Sequence, residues 1–212
     1  MKEVYDFAVQ LAEKAGQNTL RYFGRCISIE HKDDASPVTI ADQSTEELIR
    51  AEIERHFPQD SILGEEFGVK EGSSGYRWIL DPIDGTKTFI RGVPLYGTLI
   101  ALEKEGASLI GVMNFPPLQP PSPALRDEGC FRNGEPCHVS QESRLSQAAL
   151  MMTSMAEIMD TFGETAFKAI LSQTGMQRTW ADCYGYFLVA TGMAEASMDA
   201  KMKIWDIAPL IP

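Results

Sequence analysis

Apolar residues recur at helical spacing through the first stretch of the chain, where Val4, Phe7, Ala8, Leu11, Ala12 and Ala15 share one side of a 3.6-residue repeat. The spacing predicts an amphipathic helix from residue 2 to about 23, closed near Gly24. A second helix is expected to begin at Asp42, an N-cap ahead of QSTEELIRAEIERHF, with Glu46 and Glu47 favourably placed in its first turns and Pro58 closing it. The pattern then shifts to short apolar runs that read as strands: SILG at 61, RWIL at 77, YGTLIALE at 96, and SLIGVMNF at 108 after a Glu105-Gly106 turn. PPLQPPSPA, residues 116 to 124, reads as a connecting loop because its prolines cannot sustain a ladder. Arg132-Asn133-Gly134-Glu135 reads as a hairpin turn. The alternation continues with a strand near 148 to 153, a helix near 155 to 173, a strand near 176 to 181, and a helix over CYGYFLVAT that ends at Gly192. The class is α/β, without an internal repeat.

Composition narrows this picture. With 212 residues and 44% hydrophobic content, the chain can bury a core in one or two small domains. Its formal charge of −11, from 30 acidic and 19 basic residues with no basic run, argues against nucleic acid and anionic lipid as partners. The charged, amphipathic start and the lack of any long apolar run predict a soluble cytoplasmic protein. Cys26, Cys130, Cys137 and Cys183 contain no CxxC and suggest neither a zinc site nor a disulfide framework. The three histidines lie in polar segments and read as surface residues.

The candidate chemistry lies in ILDPIDGTKTFIRG, residues 79 to 92. If RWIL is a strand, Asp81 stands at its end and Pro82 forces the chain out of the sheet, so Asp81 and Asp84 crowd one turn. Two carboxylates about 4 Å apart repel by roughly 4 kcal/mol at an effective dielectric near 20. A shared proton or a hard cation would neutralise them, and Mg²⁺ suits the oxygens of Asp81, Asp84 and the Ile83 carbonyl. A helix starting at Gly85 and Thr86 would aim N–H groups at a phosphate beside that cation. The structural alternative is an ordinary turn, since Asp-Pro and Asp-Gly are turn formers. The stretch is neither an EF-hand loop nor a P-loop. SILGEEFG places Glu65 and Glu66 at another strand end, and KIWDIAPLIP places Asp206 as the cap of a final helix with Pro209 in its first turn.

GEE, WxxDPIDGT and WD in this order, together with SPVTIAD at 36 to 42, resemble the inositol monophosphatase superfamily of Mg²⁺-dependent, lithium-sensitive phosphatases. The resemblance runs from residue 4 to the C-terminus and implies a layered α/β/α/β/α sandwich. It implies Glu65, Asp81, the Ile83 carbonyl, Asp84 and Asp206 as metal ligands for two or three Mg²⁺ ions, with Mn²⁺ an acceptable substitute. Thr86 and Asp42 would position the attacking water, with Glu65 also in the catalytic set, and the N–H groups of Gly85 and Thr86 would hold phosphate. Residues 1–140 would form an N-terminal half carrying GEE and DPIDGT, and residues 141–212 a C-terminal half carrying WD.

Lys87, the RGVP segment and TWADCYGY look like the histidinol-phosphate phosphatase branch. A small-molecule phosphate ester is the implied partner, with Asp182 and Asp199 as candidates to contact the ammonium and imidazole of histidinol. Asp182 reads equally well as the N-cap of the CYGYFLVAT helix. Inositol monophosphate and an adenosine bisphosphate are the alternative esters, and a non-catalytic scaffold retaining the fold is the alternative of another class. The resemblance implies a homodimer. It also implies further chain after WD, so this chain reads as truncated at its C-terminus and is expected to expose apolar surface in its second half.

Overall fold

The computed structural model describes residues 1–118, 121–180 and 182–212. Helix α1 (Lys2–Leu20) buries Ala8, Leu11, Ala12 and Ala15, the stripe expected from their spacing. A short antiparallel hairpin of β1 (Ile29–His31) and β2 (Pro37–Thr39) then leads into α2 (Ile40–His56). This helix starts two residues before Asp42, and Thr39 is its N-cap. The Thr39 hydroxyl accepts the Ala41 N–H at 3.1 Å, while Asp42, at the third helical position, accepts the Thr39 N–H at 2.7 Å. Asp42 thus closes a capping box from inside the helix, which is why its carboxylate is buried.

Eight strands follow as one sheet: β3 (Ser61–Gly64), β4 (Gly68–Lys70), β5 (Tyr76–Asp84), β6 (Gly97–Lys104), β7 (Ala107–Asn114), β8 (Ser122–Leu125), β9 (Gly129–Arg132) and β10 (Glu135–Cys137). Their spatial order is β10-β9-β8-β7-β6-β5-β3-β4, and only β3 and β5 run parallel. A four-residue helix, α3 (Thr86–Phe89), joins β5 to β6. The proline-rich segment differs from expectation: β8 forms inside it, pairing Pro123 with Val112. Strand β9 pairs with β8 only at Ala124 and Leu125, so Pro123 lies beyond the doubly paired part of the strand, where a missing N–H is tolerated. Gln119 and Pro120 lie outside the described residues. Cys130 and Cys137 face each other across the β9–β10 hairpin as free thiols.

The remaining strands form a parallel three-stranded sheet, ordered β12-β11-β13. After β11 (Ala149–Met152), the helix expected over 155 to 173 is two helices, α4 (Met155–Phe162) and α5 (Glu164–Gln173). Gly163 breaks it with φ +87°, a conformation other residues rarely hold. Next come β12 (Met176–Arg178), α6 (Cys183–Ala190) and β13 (Ala196–Met198); the strand expected to reach 181 stops at Arg178, and Ala181 lies outside the described residues. The chain closes with α7 (Ile204–Ile207) and a 3-10 turn over Ala208–Leu210. Asp206 is the third residue of α7 rather than its cap, and Pro209 lies in the 3-10 turn.

Strand alternation sorts these elements into layers. Trp78, Leu80, Ile100, Leu102, Ile110 and Val112 point from the large sheet into α1 and α2, where each fully buried large apolar side chain contributes about 1.5–3 kcal/mol. From the opposite face, Leu99, Met113 and Phe115 meet Phe187 and Leu188 of α6, and Ile79 and Ala101 meet Ala208. The small sheet offers Ala149 and Met151 to α6, and Leu150 and Met152 to Ile158 of α4 and Phe167 of α5. The architecture is therefore a layered α/β/α/β/α sandwich. Gly111 lets the C-terminal turn lie against bare backbone of β7, because a Cβ there would stand 2.0 Å from the Pro209 carbonyl oxygen.

Candidate active site

In a regular strand, Asp81 and Asp84 would point to opposite faces. They do not, because β5 continues through Pro82 instead of ending at Asp81. Asp81 pairs with Leu99 and Asp84 with Gly97, so two residues of β5 oppose the single Thr98 of β6. This bulge turns both acids to the α7 side of the sheet. It is held by the Thr98 hydroxyl donating to the Pro82 carbonyl at 2.9 Å and by the Ile83 N–H donating to Asp81 Oδ1 at 3.0 Å. Ile83 itself packs with Ala41, Phe89 and Tyr96.

Helix α7 brings in Asp206 from far along the chain. Ala208 anchors the segment against Ile79 and Ala101, and the Lys203 N–H donates to Asp206 Oδ2 at 2.6 Å. Asp81, Asp84 and Asp206 each then offer an oxygen, all within 4.8 Å of one another. Glu65 lines the same cleft of about 370 Å³, as do Ile83, Gly85 and Thr86, but it stands outside that trio. Its carboxylate is tied to Lys32, which contacts Glu65 at 2.7 Å and Glu66 at 2.8 Å.

The electrostatics show what crowding does. Burial, then the neighbouring carboxylates of Glu65, Asp84 and Asp206, raises the Asp81 pKa well above the usual carboxylate range. Burial and the Asp182 charge push Asp84 up to about 8, against a Cys183 N–H that donates to it at 2.5 Å. Burial lifts Asp206 to about 6. Burial also lifts Glu66 to about 7, despite Lys32. For Lys32, burial works downward, but its bonds to Glu65 and Glu66 outweigh that and raise it. Converging hard oxygen donors that repel one another are the donor set a divalent cation fits.

Thr86 stands at the start of α3 beside this cluster. Its hydroxyl lies 3.1 Å from Asp42 Oδ1 and 3.2 Å from the Ile83 carbonyl oxygen, and its single proton can serve one of them at a time. Asp42 has its pKa raised by burial, opposed by the Thr39 N–H and hydroxyl that donate to its other oxygen.

Asp182 and Asp199 lie on the α6 side of the cluster, around a smaller cavity of about 110 Å³ that Asp84, Asp206, Glu157 and Lys201 also line. Asp182 occupies the N-cap position of α6 without making a capping bond; its carboxylate accepts the Thr88 hydroxyl at 2.5 Å. It holds φ +52°, ψ −153°, a strained conformation of the kind found at functional sites. Asp199 accepts the Thr153 N–H at 3.2 Å, and burial raises both acids. Sequence reasoning missed Lys32, Thr88 and Glu157. Nothing local marks the first or third, whereas Thr88 is two residues after Thr86 within the quoted DGTKT.

An α/β/α/β/α sandwich with a cluster of acids at a bulged strand defines the class. The whole chain, residues 1–212, matches the profile of the inositol monophosphatase family and belongs to that family. It is a phosphoric monoester hydrolase of a metal-dependent kind. The histidinol-phosphatase of Chlorobaculum parvum is 47% identical over 206 residues, covering 97% of this chain and 80% of that protein. The histidinol-phosphatase of Streptomyces coelicolor is 36% identical over 208 residues, covering 93% and 78%. Among solved structures, the extragenic suppressor protein suhB of Bartonella henselae matches with a TM-score of 0.90 at 28% identity, covering 99% of this chain and 83% of that one. Among the described residues, no helix is long and apolar enough to cross a membrane.

Proposed function

We propose that the protein hydrolyses histidinol phosphate, releasing inorganic phosphate, with Mg²⁺ held by Glu65, Asp81, the Ile83 carbonyl, Asp84 and Asp206. The observation that carries this reading is the convergence of Asp81, Asp84 and Asp206 within 4.8 Å, with Glu65 in the same cleft. A divalent cation in this set supplies acidified water at neutral pH and neutralises charge on the phosphoryl and leaving oxygens. The chain's own groups supply direction. Thr86 orients the nucleophile through its hydroxyl, and Asp42, accepting from Thr86, fixes that hydroxyl and can take up a proton at Oδ1. The first N–H groups of a helix have no intrahelical partner, so Gly85 and Thr86 present donors to a phosphate oxygen. Lys32 would release Glu65 when the cation takes its place.

Asp182 and Asp199 would receive the cationic end of the substrate. A cavity lined by these carboxylates suits an ammonium and an imidazole better than a ring of hydroxyls. The name borne by the Chlorobaculum and Streptomyces relatives supports the same ester. A cytoplasmic homodimer, and a division of the chain near residue 140 into a cation-binding half and a substrate-binding half closed by Asp206, belong to this proposal. Phosphate release is measured with histidinol phosphate, inositol monophosphate and an adenosine bisphosphate, each with Mg²⁺ and with chelator. Histidinol phosphate is expected to turn over fastest and to stop on chelation; faster turnover of the inositol ester would overturn the substrate assignment.

A further inference from the structure

Glu46 lies on α2 one turn beyond Asp42, fully buried, and touches neither the acid trio nor the cleft. Two of its hydrogen bonds go to the turn after β3 and the third to Arg50 on its own helix. Its Oε2 accepts the Glu66 N–H at 2.7 Å, and its Oε1 accepts the Phe67 N–H at 3.2 Å and Arg50 Nε at 2.7 Å. The Arg50 guanidinium also donates to the Gly68 carbonyl. The Glu65 N–H donates to the Leu80 carbonyl of β5 at 3.2 Å. Three successive N–H groups of the turn are thereby pinned, the first to the bulged strand and the next two to one buried carboxylate.

Gly64 leaves room for that carboxylate, since a Cβ at residue 64 would stand 2.0 Å from Glu46 Oε1. A buried ion pair is a poor stabiliser compared with apolar residues of the same volume. What the Glu46–Arg50 pair does that an apolar pair could not is accept two backbone N–H groups where Glu65 leaves the chain. We infer that Glu46 is a positioning residue for the cation site, fixing the backbone turn that aims Glu65 into the cleft. The inference rests on the reading of Glu65 as a metal ligand.

The test measures Mg²⁺ affinity by calorimetry on the full chain, with circular dichroism as the check on fold and phosphate release for kcat and KM. In Glu46→Gln, the new amide NH₂ faces an N–H and one of the two turn bonds is lost. Groups that hold metal ligands in place are worth about 10- to 100-fold in metal affinity, and a loss in that range is expected, with kcat falling more than the KM for the ester changes. Gly64→Ala displaces the carboxylate without altering it and is expected to weaken Mg²⁺ in the same way; this variant carries the test if Glu46→Gln does not fold. Glu65→Gln is measured beside them. Parent-like affinity in folded Glu46→Gln or Gly64→Ala, with weakened binding in Glu65→Gln, would overturn the inference alone. Parent-like affinity in Glu65→Gln would remove the ligand assignment and the inference with it. Loss of fold in both Glu46→Gln and Gly64→Ala would reduce Glu46 to a structural residue.

Discussion

The two sheets treat polar groups differently. Every buried polar or charged side chain among the described residues falls at or before Ser122, including Asp42, Glu46, Asp81 and Thr98. Among the described residues the region built on the small sheet fully buries no polar or charged residue, and its functional acids, Asp182 and Asp199, stay partly exposed beside elements of eight and three residues, whereas Asp206 is carried by α7 against the large sheet. The large sheet and its helices hold Asp42, Glu46, Asp81 and Thr98 because the cap, the turn after β3 and the bulge satisfy them in place. Groups that must keep one position sit there. Groups that meet a variable organic substrate sit on the smaller frame, where less structure opposes change.

The hardest test of this contrast is Asp84→Asn. With one cation ligand lost from the rigid side, turnover is expected to fall about 10³-fold or more, because the ion supplies several kcal/mol to the transition state, and Mg²⁺ affinity should fall with it. A smaller, differently shaped effect is expected from Asp199→Asn. Losing a charge-assisted bond of about 1.5–3 kcal/mol should raise the KM for histidinol phosphate about 10- to 100-fold while kcat changes little, and an ester without an ammonium should not notice. If Asp199→Asn instead lowered kcat for every ester, the division of labour between the two regions would be wrong.

The pH dependence of the metal-free protein sharpens the comparison further. Asp84 is raised from its ordinary 3.8 to about 8 and Asp206 to about 6, so between these limits the folded form holds more protons than the unfolded chain. Their stabilising contribution is complete below the ordinary value and is lost as pH rises through the folded values. The Tm of the chelated protein should therefore drop between pH 5 and 8, and saturating Mg²⁺ should flatten that slope. The smallest expected effect is that of Thr39→Ala, which removes the hydroxyl half of the α2 cap and should cost about 1 kcal/mol in a denaturant titration.

The cation turn was legible because Asp81, Asp84, Gly85 and Thr86 are contiguous, so local spacing carries their chemistry. Its shape was not. Pro82 read as a strand end, whereas Thr98, on the next strand, holds the chain in a bulge, and a single sequence does not announce which residue will face it. Asp42 looked like a cap by residue type, but Thr39 has the same preference and sits where the reciprocal bond can close. Lys32 and Glu46 act on Glu65 and its turn from well separated parts of the sequence, and neither is distinguished from an ordinary surface charge until β3 is placed between them. The strand at Pro123 failed for the opposite reason, local propensity being visible and the surrounding structure overriding it, while the split at Gly163 follows a local helix breaker that the long apolar pattern masked.

The bare backbone at Gly111 bears on the order of events in assembly. The Pro209 turn can settle only on strands that already lie side by side, and Asp206 travels with that turn. A cation offered to the collapsing chain would meet Asp81 and Asp84 first and find its third neighbour missing. Magnesium should accordingly slow unwinding of the finished molecule far more than it hastens the early stages of its formation.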